Sequence, residues 1–401
     1  MRAALALIGV LLTSSVYAAE PRPLWEIDLA TPAQGGVAGA TLVLAHPAST
    51  AGSLSYSPDG QAIVAVTVSP VEGQSRSYQY RLRVWDVNTR KERFTADIGF
   101  GRTPYLRDNF ASFPADDMVM TGGEALTVRS LATGVQSTVF PTGGRADHAI
   151  WAVPDLRESF YLRREVDSPD QPLELHHHST HNTGQQVDFG GMGMPRRGRI
   201  GVGQQFSQQA KIPLPVPGVH TELVTLNPAR TRLVATFRDE SGASKPRHTF
   251  AVYGIHTIEN FEVVLEAEAV APHPGPVSTL EFARNGKILA TGGEDGSICL
   301  WDMNTSSSSL KPRAVVEGVF DHRVYALAFS HDWRYVAAAS WDRTRPNLAV
   351  IDVDSGKVIR TVKIDREPMC LAFHPDGETL LTTSASGKIS AWSLRALLET
   401  K

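Results

Sequence analysis

Four imidazoles fall within six residues, at His176, His177, His178 and His181. Histidines this close can hold a transition metal. On an extended strand His176 and His178 share one face and His177 takes the other. The candidate metal set is therefore His176, His178 and His181, with only Glu174 and Asp188 as nearby carboxylates. The competing reading is a row of solvated histidines at the end of a strand. A second group is Arg196, Arg197 and Arg199. Guanidinium forks suit carboxylate or phosphate, so these are candidates for meeting an acidic partner. Cys299 and Cys370 lie inside apolar runs and read as buried structural thiols, with no disulfide and no haem context. Asp352-Val353-Asp354-Ser355-Gly356 is similar to the start of a calcium loop. It lacks the later ligands and reads as a tight interstrand turn. There is no GxSxG elbow, Walker A loop, HExxH or strand-borne GxGxxG. No catalytic residue and no cofactor is assigned.

Composition narrows the setting for this chemistry. The chain has 401 residues, 42% hydrophobic and 20% charged, with 33 Gly, 25 Pro and 2 Cys. That is too apolar for a mainly disordered chain and too poor in Cys for a disulfide scaffold. A formal net charge of -3 gives no global basic footprint for nucleic acid. At the N-terminus, Arg2 precedes an apolar run from Ala3 to Leu12, then Val16-Tyr17-Ala18. This reads as a signal peptide over residues 1–18, cut after Ala18 or Ala19. The run is too short to span a bilayer, and no later stretch is long enough. The expectation is export to the periplasm or outside the cell, with no membrane span.

The elements that must position these groups are short strands. Val277 to Phe282, Ile288 to Gly293 and Ser297 to Asp302 alternate with turns at Asn285-Gly286 and Asp295-Gly296. The unit recurs from Val324 and from Met369, and near the start from Ser53. Residues closing the first strand of each unit line up at Tyr56, Phe113, Val153, Leu226, Phe282, Phe329 and Phe373. The widest interval separates Val153 from Leu226. It holds an insertion at about 190–217, rich in Gly, Arg, Gln and Pro, and reads as a loop. Pro70 to Ser77 and Asp239 to Arg247 are lesser breaks. Open sheet edges invite aggregation, so the ring needs closing. Thr41 to Ala45 is placed to pair with Lys388 to Trp392, and Leu24 to Leu29 is an additional strand candidate that either widens the closing blade or starts an eighth.

Trp85-Asp86 and Trp301-Asp302, with Ile351-Asp352 and Trp392-Ser393 as degenerate forms, resemble the WD-repeat β-propeller family. The turns Ser57-Pro58-Asp59-Gly60 and His374-Pro375-Asp376-Gly377 add to the resemblance. It implies an all-β propeller of four-stranded antiparallel blades, seven of them, over residues 19–395, with the ring closed by an N-terminal strand and a tail at 396–401. It also implies a hydrogen-bonded set within a blade, which here only His273, Thr291, Asp295 and Trp301 can build.

Function follows by analogy with that family. The reading is an exported, non-enzymatic scaffold that binds a protein partner through loops on the blade faces, the insertion foremost. The alternative is a propeller enzyme or metal-binding protein, with its site at the channel mouth or at the His176–His181 cluster.

Overall fold

In the computed structural model the strands assemble into seven antiparallel sheets. The structure describes residues 22–29, 41–42, 54–71, 74, 77–101, 111–121, 125–141, 148–152, 158–163, 174–181, 204–213, 219–239, 247–256, 261–270, 273–304, 310–340, 347–364, 368–384 and 387–399.

Each sheet is a blade of strands that follow one another in the chain, except that blade 7 takes its outer strand from the N-terminus. Blade 5 shows the plan: Val277–Phe282, Ile288–Gly293, Ile298–Asp302 and Pro312–Val316 pair in that order. Blades 6 and 4 repeat it, from Val324–Phe329 to Val358–Val362 and from Val219–Leu226 to Glu262–Val270; blade 1 runs from Leu54–Tyr56 to Glu92–Gly101, blade 2 from Ala111–Ala115 to Gln136–Pro141, blade 3 from His148–Ala152 to Gln204–Lys211 and blade 7 from Pro368–Phe373 to Lys388–Ser393. First strands of successive blades touch one another from blade 4 through 7 and on to blades 1 and 2. They are therefore the innermost strands, ranged about the axis. The expected closers Tyr56, Leu226, Phe282, Phe329 and Phe373 each end such a strand, and Phe113 lies within one. Val153 lies outside the described residues, directly after His148–Ala152.

The core lies between blades. One apolar cluster joins blades 5 and 6 through Ile298, Leu300, Val324 and Val336, and another joins blades 6 and 7 through Leu348, Val350, Leu371 and Leu380. Similar clusters join blades 3 and 4, 4 and 5, 7 and 1, and 1 and 2. A central strand of a blade is covered on both faces, so it reads as a near-continuous apolar run; Ala62–Pro70 is buried at every position except Pro70.

The ring closes through Trp25–Asp28, not through Thr41 to Ala45. Trp25 lies opposite Ala391, Glu26 opposite Ser390, and Ile27 opposite Ile389. The segment alternates, with Ile27 buried in the cluster between blades 7 and 1 while Glu26 faces outward. Glu26 accepts hydrogen bonds from Lys388 Nζ at 2.9 Å and Ser390 Oγ at 3.0 Å. The lysine bond holds its carboxyl below the usual carboxylate range against the small burial cost. An alternating strand suits an edge with one wet face. Thr41–Leu42 instead extends blade 1, opposite Val68 and Thr67.

Two other expectations change. The insertion over 190–217 is partly strand: Gln204–Lys211 is the outer strand of blade 3, in continuous register with Glu174–His181. The tail from residue 396 begins inside a short helix, Leu394–Leu398, capped by the Ser393 hydroxyl. Leu394 and Leu397 bury against the cluster between blades 6 and 7. No described helix is long and apolar enough to cross a membrane.

Candidate interaction site

The polar set of blade 5 forms, with one more member than the resemblance implies. Trp301 Nε1 can only donate, and it donates to Thr291 Oγ1 at 3.1 Å. The Thr291 hydroxyl then donates to His273 Nε2 at 2.8 Å. That leaves the His273 proton on Nδ1, which donates to Ser297 Oγ at 2.6 Å. Ser297 passes its own proton to Asp295 Oδ1 at 2.8 Å. Asp295 itself stands 3.7 Å from His273 Nδ1, so Ser297 carries the link. Every donor in this chain has an acceptor, and the step from Thr291 to Nε2 requires a neutral imidazole. Burial depresses the His273 pKa in agreement, with Asp295 opposing more weakly. Gly293 is required here, because a Cβ would lie 2.1 Å from Asp295 Oδ1 and 2.6 Å from His273 Nδ1. The signal for Ser297 was local: a hydroxyl two residues after an Asp can close an Asx turn. Blade 7 keeps half of the set, with Trp392 Nε1 donating to Thr382 Oγ1 at 2.9 Å.

The Asp of each Trp-Asp pair performs a different task. Asp86 caps the turn after the third strand, accepting from Thr89 N at 2.7 Å and Thr89 Oγ1 at 2.9 Å. Asp352 does the same with Ser355, at 2.8 and 2.7 Å, so the calcium-like segment is a turn. Those turn hydrogen bonds hold both carboxyls below their usual range. Asp302 accepts from Asn304 N at 2.9 Å. Trp85 and Trp301 are buried, with Arg83 over the Trp85 ring.

His176, His177 and His178 lie within a strand, and His181 ends it. Glu174–His181 is the third strand of blade 3, paired on both sides. Burial of His176 and His177 corrects the solvated reading for those two. His177 stacks on Phe160 at 4.5 Å and near Phe261 at 5.4 Å, so it serves the apolar seam between blades 3 and 4. His176 Nε2 lies 3.2 Å from Glu174 Oε2. The backbone puts His176 and His178 on one face; the side chains of His178 and His181 lie outside the described residues. Among the described residues, no group of three or more His, Cys, Asp or Glu is placed to hold a metal ion. Arg196, Arg197 and Arg199 lie outside the described residues. Cys299 and Cys370 are buried in blades 5 and 7, and burial pushes the Cys299 thiol up to about 12.

One face of the ring gathers the turns between first and second strands. In blades 1, 4, 5, 6 and 7 the N–H of Ser57, Asn227, Ala283, Ser330 and His374 donates to the carbonyl five residues on. The turns also brace one another across blades. His374 Nε2 donates to Gly60 O at 3.0 Å, Asp59 N to Asp116 Oδ1 at 2.9 Å, and Arg284 Nη1 approaches His331 Nδ1 at 3.4 Å. Where blades 1, 5 and 7 place Gly60, Gly286 and Gly377 with positive φ, blade 6 has Trp333 at φ 51. A bulky residue there is strained. Trp333 is 44% exposed all the same. His181 and Gln204, which bracket the undescribed part of the insertion, end their strands on this face, because turns after first and third strands emerge together in an antiparallel sheet.

Inside this ring of turns lies an axial cavity of about 490 Å³, walled by first strands of blades 1, 5, 6 and 7 and by Phe113 of blade 2. Glu281 lines it, and desolvation raises its carboxyl to about 8. No sequence signal marked Glu281, since a lone Glu in a strand looks solvent-facing until the ring is assembled.

The model for "WD domain, G-beta repeat" matches residues 268–302 and 356–393, in blade 5 and across blades 6 and 7. The chain is 28% identical over 134 residues to "Small ribosomal subunit protein RACK1" of Schizosaccharomyces pombe, covering 30% of this chain and 39% of that protein. It is 28% identical over 132 residues to "MST50-interacting protein 11" of Pyricularia oryzae, with the same coverage, 30% and 39%. With "WD repeat-containing protein 91" of Danio rerio it shares 33% over 124 residues, 29% of this chain and 16% of that protein. The matched region thus spans about two fifths of the length of the first of these curated relatives. Among solved structures, the Cps50 (Swd1) beta-propeller domain of Myceliophteria thermophila aligns with a TM-score of 0.59 at 14% identity, over 93% of this chain and 99% of that one. That likeness shows the propeller fold. Together the matches support a WD-repeat β-propeller.

Proposed function

We propose that this propeller is an exported, non-enzymatic scaffold that binds a protein partner on the face bearing the turns between first and second strands. Trp333 carries the reading. An exposed Trp in a left-handed conformation costs stability at a site where three other blades use glycine. Exposed Trp is over-represented among residues that dominate protein interfaces. The cross-blade bonds of this face hold it rigid, which lowers the ordering cost of binding. The relatives support a binding role: WD-repeat proteins act as interaction scaffolds, and the name of one relative describes an interacting protein. Arg196, Arg197 and Arg199, which lie outside the described residues, are the candidates for meeting an acidic partner. Export rests on the signal-like N-terminus alone, and the mature chain would begin at Ala19 or Glu20 in the periplasm or medium.

The test is Trp333→Gly beside Glu294→Ala, which lies on the opposite face. Cross-linking in the native envelope should lose its partner with Trp333→Gly and keep it with Glu294→Ala. Trp333→Gly should fold at least as stably as wild type, because the strain is relieved. An unchanged partner set with Trp333→Gly contradicts the reading. N-terminal sequencing of the exported chain tests the cleavage.

A further inference from the structure

The axial cavity holds a carboxyl group that the fold does not use. In the five blades sharing the same first turn, the residue before the last of the inner strand is Ser55, Thr225, Glu281, Ala328 or Ala372. Four are small and leave room around the axis; the fifth is a carboxylate. Among the described residues Glu281 makes neither a hydrogen bond nor an ion pair, and it keeps partial exposure through the cavity. A carboxylate held this way is costly unless something compensates it. Tyr56 also borders the cavity, but its side chain belongs to the apolar cluster between blades 7 and 1 and its hydroxyl is closed off from solvent. Much of the wall is apolar, including Leu327, Met369 and Leu371.

We propose that the axial cavity binds one aliphatic ammonium group, with Glu281 as its counter-charge. A single carboxylate supplies too few oxygens for calcium or magnesium. An ammonium on a hydrocarbon stem uses both the charge and the apolar wall. The volume, about 490 Å³, falls within the range of small-ligand pockets. Among the described residues the other titratable groups on the wall are Arg284, His331, His374, Tyr325 and Cys370. Arg284 is exposed and set against His331, so it does not neutralise Glu281. The ammonium has two possible sources, a free diamine or the lysine side chain of a partner, and the proposal stands apart from the scaffold reading.

Calorimetric titration of the full chain with cadaverine, and separately with Nα-acetyl-lysine amide, tests it. Saturable binding of one equivalent is expected, at least about tenfold weaker in Glu281→Gln. The neutral isostere pentanol should not bind. Preference for cadaverine identifies a small-molecule site, and preference for the lysine derivative a side-chain pocket; each supports the proposal. Affinity in the wild type should rise about tenfold per pH unit up to about pH 8, as the carboxylate forms while the amine stays charged, and then level off. This profile decides the matter if Glu281→Gln does not fold. Equal binding by Glu281→Gln, a flat pH profile, or no binding of either probe at about 10 mM overturns the proposal.

Discussion

Blades 5 and 3 each bury a histidine, and they use it in opposite ways. His273 is one link in a directed chain of hydrogen bonds from Trp301 to Asp295. His177 stacks on Phe160 and packs beside Phe261, and so acts as an aromatic plate. The conspicuous feature of the sequence was the run around His177, yet the lone His273 has the more demanding chemistry. What decides a histidine's role is the partners that the fold brings from distant positions, not the number of neighbouring histidines.

This contrast can be broken by exchange. His273→Leu leaves the Thr291 and Ser297 hydroxyls buried without their partner, at a cost of about 2–4 kcal/mol. His177→Phe keeps the plate and should change stability by less than about 1 kcal/mol. Urea denaturation of the two variants measures both, and equal losses would erase the distinction. Comparing blades 5 and 7 refines it. Thr291→Val removes two hydrogen bonds and should cost about 1–3 kcal/mol, whereas Thr382→Val removes one and should cost about 0.5–1.5 kcal/mol.

The smallest effect is on pH dependence. Burial holds the folded His273 below its ordinary value of 6.5. The unfolded chain then binds the proton more readily, so stability rises with pH across that gap. The contribution is fully present above pH 6.5 and is lost as pH falls from there through the folded pKa. The stability difference between wild type and His273→Leu should therefore shrink on acidification. A difference independent of pH would mean that His273 is not held neutral.

Much of the ring was legible because repetition is local. Strand, turn and strand within one blade obey period-two alternation, and Trp301-Asp302 marks a buried ring followed by a turn-capping carboxylate. His273, Thr291, Asp295 and Trp301 could be grouped because they lie within one blade. What stayed hidden depends on closure or on neighbouring blades. Trp25–Asp28 pairs with a strand at the far end of the chain, where two N-terminal segments had similar β character. Gln204–Lys211 carries polar side chains because an outer strand is wet on much of its surface, and so it read as loop. Glu281 acquires its meaning only when first strands from separate blades meet at the axis.

The interaction face and the cavity both require a closed ring. Glu26 and Ser390 are cross-strand partners in the closing pair, with the serine hydroxyl donating to the glutamate at 3.0 Å. Cα atoms of such partners stand about 4.5–5.5 Å apart, within reach of a disulfide. Replacing both, Glu26→Cys with Ser390→Cys, should give an intramolecular cross-link under mild oxidation of the folded chain. The pair Thr41→Cys with Ser390→Cys should not cross-link. Formation of the second bond, and failure of the first in a folded chain, would contradict the ring closed by Trp25–Asp28.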